Sequence, residues 1–256
     1  MNTQTRRAAR AVFAVLLFAC GAAFGDAVSD AYGYPCTNAV QVLERPAYSL
    51  GYSPLHNQPI WVQYRLDGLD ITTNTWHKRS NDFREDNEVR GGSATLDDYH
   101  ASGYDRGHLA PAADFSYSPK RMSESFLMSN MSPQAPAFNR GVWKDLEAWV
   151  RDAAKRNGRI VIVTGGVFPS ECVKWTCIGR RKMVTVPQRY FKVLLDEREP
   201  KKAIGFLLEN AGTTNAIATF ACSVDDVERV TGLDFFSAMD DKDEEAVEGA
   251  FDFSQW

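Results

Sequence analysis

The sequence has little that would mark a metal cage or a membrane span. Its 256 residues include only four histidines and five cysteines, and neither C-x-x-C nor H-x-x-x-H occurs, which argues against a zinc site. The longest apolar run, Ala11 to Ala19, is far short of the roughly 20 residues that a spanning helix needs. Positive charge is not in excess: 29 Lys+Arg face 33 Asp+Glu, a net −4, which on average does not favour a polyanionic partner. No internal repeat, zinc finger, recognition helix or RNA-binding motif is present. The charges that do exist are unevenly spread. Arg79, Arg84, Arg106, Lys120, Arg121, Arg140 and Lys144 lie around the middle of the chain. Asp240, Asp241, Asp243, Glu244, Glu245 and Glu248 crowd near its end. This predicts a basic cleft on an acidic body, with the acidic tail a solvated surface.

Residues 1–25 are expected to be a secretory signal peptide. Arg6, Arg7 and Arg10 precede the apolar run, and small residues follow at Gly21-Ala22-Ala23. The expected destination is the periplasm or the medium, with a lipid anchor on Cys20 the lesser alternative. Removal of the leader leaves Cys36, Cys172, Cys177 and Cys222, an even number suited to two disulfides in an oxidising compartment. Three pairings are open; Cys172 with Cys177 and Cys36 with Cys222 is the reading preferred. Residues 26–256 have the length of one domain with a sizeable core.

Residues 26–59 read as loop, and alternation at Ile60, Val62, Tyr64 and Leu66 starts a strand. Residues 72–103 form a long polar loop. Helical composition covers Lys120 to Asn130, and two prolines between Met131 and Phe138 are expected to break it. Trp143, Leu146, Val150, Ala153 and Ala154 recur at helical spacing from Arg140 to Arg156, closed by Asn157-Gly158. Strands are expected at Arg159 to Val163, Lys182 to Leu195 (interrupted at Pro187) and Ala203 to Leu208. A capped helix runs from Ser223, ended by Gly232. Without a regular βαβ repeat, the fold class expected is α+β on a largely antiparallel central sheet flanked by helices.

Tyr104-Asp105-Arg106-Gly107-His108-Leu109-Ala110 is the most informative stretch. It sets a planar, permanently charged guanidinium two positions before an imidazole that can take a proton near neutral pH. Gly107 between them is expected to allow a tight bend. A phosphate clamp beside a general base suits phosphodiester hydrolysis.

Two further blocks follow: Ser129-Asn130-x-x-Pro133-Gln134, then Asn139-x-Gly141-x-Trp143-x-x-Leu146-Glu147. With the Asp-Arg-Gly-His block, they resemble the DNA/RNA non-specific endonucleases of the ββα-metal class, over about Ile60 to Phe236. The resemblance implies a ββα-metal nuclease fold and a Mg²⁺-dependent endonuclease, with Mn²⁺ able to substitute. It implies sequence-independent cleavage of DNA and RNA to 5′-phosphate ends. His108 is then the general base, Arg106 the grip on the scissile phosphate, and Arg79 the upstream arginine that stabilises the transition state, with Arg84 its competitor. Asn139 is the direct metal ligand. Glu147, eight positions on, is displaced by about 12 Å and 80° on a regular helix, which disfavours direct coordination of one ion by both residues, and the resemblance implies that it acts through metal-bound water. Asn130, Gln134 and Arg140 are expected to hold the loop before that helix. An ordinary histidine at position 108 would make activity fall below about pH 6. The alternatives are a catalytically silent secreted nucleic-acid-binding relative and a hydrolase of another phosphodiester. Dimerisation and an inhibitor protein are left open.

Overall fold

A computed structural model describes residues 27–35, 41–72, 76–168 and 176–256. Helix α1 (Ala27–Tyr32) is followed by strands β1 (Gln41–Glu44), β2 (Ser49–Ser53) and β3 (Gln58–Asp67), then short helices α2 (Gly68–Thr72) and α3 (Leu96–Tyr99). Next come β4 (Asp105–His108), α4 (Pro119–Glu124), β5 (Met131–Gln134), α5 (Pro136–Asn139) and the long α6 (Val142–Asn157). Strands β6 (Arg159–Val167), β7 (Cys177–Ile178), β8 (Val184–Thr185), β9 (Arg189–Asp196), β10 (Lys202–Glu209) and β11 (Ala221–Cys222) precede α7 (Val224–Thr231) and α8 (Asp241–Glu248).

Seven strands form one sheet in the order β1-β2-β3-β6-β9-β10-β11, and every pairing in it is antiparallel. The α+β class is as expected. Side chains alternate between two cores, because successive Cβ atoms point to opposite faces. Ile160 and Ile162 on β6 and Leu194 on β9 face one core, where α6 buries Trp143, Leu146, Val150, Ala153 and Ala154. Val161, Val163, Phe191 and Val193 face the other, covered by α7 and α8 through Val224, Val227 and Val247. Both faces are covered, so the central strands read as nearly unbroken apolar runs. Truncating the fully buried Trp143 to alanine would cost about 3–5 kcal/mol.

Off the main sheet, β4 and β5 make a separate antiparallel ribbon in which Asp105 pairs with Gln134 and His108 with Met131. The ribbon and α6 compose the ββα unit.

Three local expectations are corrected. Residues 26–59 are not loop throughout, since they hold α1, β1 and β2. All five residues of β2 are buried, so no polar alternation marks it. The prolines after Met131 do not break structure: Pro133 lies within β5 opposite Arg106, and Pro136 sits at the start of α5, where its missing N–H costs nothing. The helix expected to reach Asn130 stops at Glu124, and a single 3₁₀ turn covers Met128–Asn130.

Cys177 and Cys222 are free thiols, so neither expected disulfide forms through them. Cys177 Sγ instead lies 4.0 Å from Thr185 Oγ1. Their expected partners, Cys172 and Cys36, lie outside the described residues, as do the expected leader and Cys20. Among the described residues no helix is long and apolar enough to cross a membrane.

Candidate active site

His108 ends β4 and is buried, with 8 % of its surface exposed. Its ring meets Phe126 and Phe83 edge-on, with centroids 4.9 and 5.6 Å away. Nε2 is sealed from solvent and has no hydrogen-bond partner. Burial, then the charges of Arg79 and Arg106, push the imidazole pKa down to about 3. The expectation of an acid limit near pH 6 is corrected accordingly. It assumed an exposed imidazole, whereas this one is desolvated beside two cations.

The same aromatic pair carries both arginines. Arg106 Cζ lies 4.1 Å from the Phe83 ring centroid, and Arg79 Cζ lies 4.7 Å from that of Phe126. Two rings thus wedge the histidine and seat a guanidinium on either side. Arg79 Nε also donates to Asn81 Oδ1 at 3.0 Å. Its competitor Arg84 is engaged elsewhere, pairing with Asp82 at 2.9 Å and donating to Ser123 O at 2.9 Å. Phe83 and Phe126 were missed by sequence reasoning. The signal available was Phe83 inside the same short run as Arg79.

Gly107 does not provide a bend, because it lies in a regular strand. A Cβ there would run into the Gln134 carboxamide on the paired strand, so close approach is what demands glycine. Gln134 departs from expectation too. It is fully buried, and neither amide atom finds a partner, so it fills space behind the motif rather than tying down a loop. Asn130 does the tying. Its Nδ2 donates to Ala110 O at 2.9 Å and Ser125 O at 2.8 Å, and its Oδ1 accepts from Ala110 N at 2.9 Å, which fixes the chain just past His108.

Asp105 organises the other edge of the site. Its carboxylate accepts two bonds from Arg140, at 2.8 and 2.6 Å, and one from Asn139 Nδ2 at 2.9 Å. Burial alone would push this carboxyl up, but those hydrogen bonds outweigh it and hold it below the usual range. A carboxylate only accepts, so the Asn139 amide must turn its NH₂ toward Asp105 and keep Oδ1 for another partner. Asn139 ends α5, and Gly141 rather than Asn139 is the N-cap of α6, so Asn139 stands ahead of that helix. The Asp105 carboxylate is paired with Arg140, at 2.6 Å, rather than with its chain neighbour Arg106.

Glu147 is half-buried on α6. Burial pushes its carboxyl up, and Asp114 adds to that, while the cations of Lys192, Arg151 and Arg79 act against it. Behind it lies a buried charge set that the sequence did not reveal. Asp114, 1 % exposed, accepts from Tyr64 Oη at 2.7 Å and Arg151 Nη1 at 2.8 Å. Lys192 is equally buried, its Nζ 4.8 Å from the Trp143 ring centroid. A lysine in the middle of the apolar run Tyr190 to Leu195 was the available signal.

The donor set fits a hard divalent cation: one amide oxygen held ready by Asp105, and one carboxylate whose surroundings balance acids against bases.

Comparison with known proteins bears on this arrangement. The DNA/RNA non-specific endonuclease family matches residues 26–242, more than the stretch the motifs alone suggested. Mitochondrial endonuclease G of Bos taurus is 33% identical over 229 residues, covering 84% of this chain and 75% of that protein. Mitochondrial nuclease 1 of Schizosaccharomyces pombe is 32% identical over 222 residues, 80% of this chain and 69% of that one. A chain from the crystal structure of the EndoG/EndoGI complex superposes with a TM-score of 0.77 at 29% identity, over 87% of this chain and 96% of that chain. The expectation of export is overturned by these relatives, which are named as mitochondrial nucleases. An N-terminus with Arg6, Arg7 and Arg10 and no acid before Asp26 is common to both kinds of address, so those features did not discriminate. The disulfide argument, which needed an oxidising compartment, goes with it. The family is metal-dependent and acts on DNA and RNA. The chain belongs to the DNA/RNA non-specific endonuclease family and is an endonuclease.

Proposed function

We propose that the chain is a Mg²⁺-dependent endonuclease that hydrolyses DNA and RNA regardless of sequence, leaving 5′-phosphate and 3′-hydroxyl ends. The observation that carries this reading is His108, wedged between Phe83 and Phe126 and held neutral beside Arg79 and Arg106. A neutral imidazole flanked by two guanidinium groups can accept a proton where an anion binds. Nε2 is sealed from water, so Nδ1 is the nitrogen that would take the proton of the attacking water, a role that requires the ring proton to sit on Nε2. Arg106 and Arg79 hold the non-bridging oxygens as charge builds on phosphorus.

Asn139 Oδ1 would hold Mg²⁺ directly and Glu147 through water. When bound, the ion offsets charge on phosphorus and on the leaving 3′ oxygen. Asp105 keeps the Asn139 amide turned the right way, Arg140 braces Asp105, and Asn130 fixes the chain after the base. Gln134 contributes only through packing against Gly107. The silent-relative reading has no physical account of an aromatic wedge that keeps a histidine neutral between two cations. The likeness to a chain solved with EndoGI makes an inhibitor protein a partner to test.

The test is digestion of plasmid DNA and total RNA by the chain with Mg²⁺, with EDTA, and with His108→Ala. Loss of both substrates by the wild type with Mg²⁺ alone is the expected result. Wild-type turnover in folded His108→Ala would sink the assignment of the base.

A further inference from the structure

On the sheet face opposite α6, helices α7 and α8 bring together Asp225, Glu228 and Glu248, with one carboxylate oxygen from each within 4.8 Å of the others. Asp225 is exposed and Glu228 half-buried, while Glu248 is only 6 % exposed. Glu248 departs from the solvated tail that the sequence suggested. Its Oε1 is buried and has no hydrogen-bond partner, an arrangement that glutamates almost never keep without compensation. One oxygen of Glu228 accepts from Phe235 N at 2.7 Å, which fixes that carboxylate in place without neutralising it.

Burial first, and then the neighbouring carboxylates Asp225, Asp234 and Glu244, push the Glu228 and Glu248 carboxyls up, to about 7 and about 9. The basic residue of α7, Arg229, is committed to Asp226 at 2.6 Å, and that of α8, Lys242, lies at the other end of its helix. Neither basic residue of these two helices is therefore placed to meet the carboxylates of Asp225, Glu228 and Glu248.

We propose that Asp225, Glu228 and Glu248 form a Ca²⁺ site that ties α7 to α8, separate from the catalytic centre. The donors are all hard oxygens. Ca²⁺ accepts an irregular, partly hydrated set of carboxylates such as this one, whereas Mg²⁺ demands strict octahedral geometry. Glu248 offers its orphaned oxygen from inside, and exposed Asp225 marks the path of entry.

The test uses the full chain carrying Asn139→Ala, so that the nuclease centre does not contribute, and measures ⁴⁵Ca²⁺ uptake by equilibrium dialysis together with Tm. One Ca²⁺ per chain is expected, with Tm rising by about 5–10 °C at a hundredfold excess over Kd. Adding Glu248→Gln or the surface change Asp225→Asn should weaken uptake at least tenfold. In a chain with Asn139 intact, the same two changes should leave cleavage unaltered. Absence of uptake by the Asn139→Ala chain overturns the proposal, as does equal uptake after Glu248→Gln. A Tm that rises on Glu248→Gln and does not respond to Ca²⁺ in either chain would assign the compensation to protons and overturn it too.

Discussion

Burial and two guanidinium groups act on His108 in the same direction, and the consequence can be measured without any substrate. Its folded pKa, about 3, lies below the unfolded value of about 6.5, so the unfolded chain takes up the proton first. The stability it contributes is complete above pH 6.5 and is lost progressively as pH falls toward 3. His56, pushed down to about 4 by burial, adds loss in the same window. Urea unfolding of the wild type should show stability falling from pH 6.5 to 4, and His108→Phe should flatten part of that slope; an unchanged slope would mean the imidazole is not desolvated. For the same reason, the acid limb of kcat/KM should lie below pH 5. Gly107 permits a second prediction. Gly107→Ala drives a methyl into the Gln134 carboxamide and should cost about 1–3 kcal/mol, and Gln134→Ala in the same chain should recover most of it by opening the space. The motif itself was legible in the sequence. Why it needs glycine was not, because Gln134 approaches only through the pairing of two strands that are distant in sequence.

Elements that carry their own start and stop signals were the ones legible in advance. Helix α6 has its apolar stripe and Gly158 beyond its last residue, and α7 has the Ser223 capping box and Gly232 in the left-handed region. Elements defined by their neighbours were not. β2 is buried on every side and so shows no alternation, and Pro133 is tolerated in β5 because the ribbon is only two strands wide. Gly158 shows how a local signal is enforced. Its φ of 90° and ψ of −111° lie where a side chain is strained, although no atom stands within 4 Å of where a Cβ would sit. Gly158→Ala should therefore lose about 1–3 kcal/mol through the backbone alone. The change is at the end of α6 remote from Asn139, so cleavage at saturating Mg²⁺ should be unchanged. A loss of stability near zero in urea would show that the turn relaxes at no cost.

At the scale of the molecule, a mixed fold and an uneven charge distribution were legible in advance, but not how the two are joined. The order of the seven strands, and the burial of Asp114 and Lys192 behind Glu147, depend on which distant segments meet across α6. The net charge of −4 repels a polyanion, so binding has to rest on the few cations that line the site. Arg140 is committed to Asp105 and Arg84 to Asp82, whereas Arg79 and Arg106, stacked on the two rings that hold His108, are the cations placed beside the base to meet phosphate. Two neutralised phosphates on duplex DNA correspond to a slope of log affinity against log salt of about −1.8, so KM should rise about tenfold between 50 and 200 mM salt, with kcat nearly constant. Arg106→Ala should shallow that slope by about one while lowering kcat as well, because it removes a contact that tightens as charge builds on phosphorus. A KM that does not change with salt would place the binding energy on uncharged contacts and remove the basic cleft from the account of how an acidic protein holds nucleic acid.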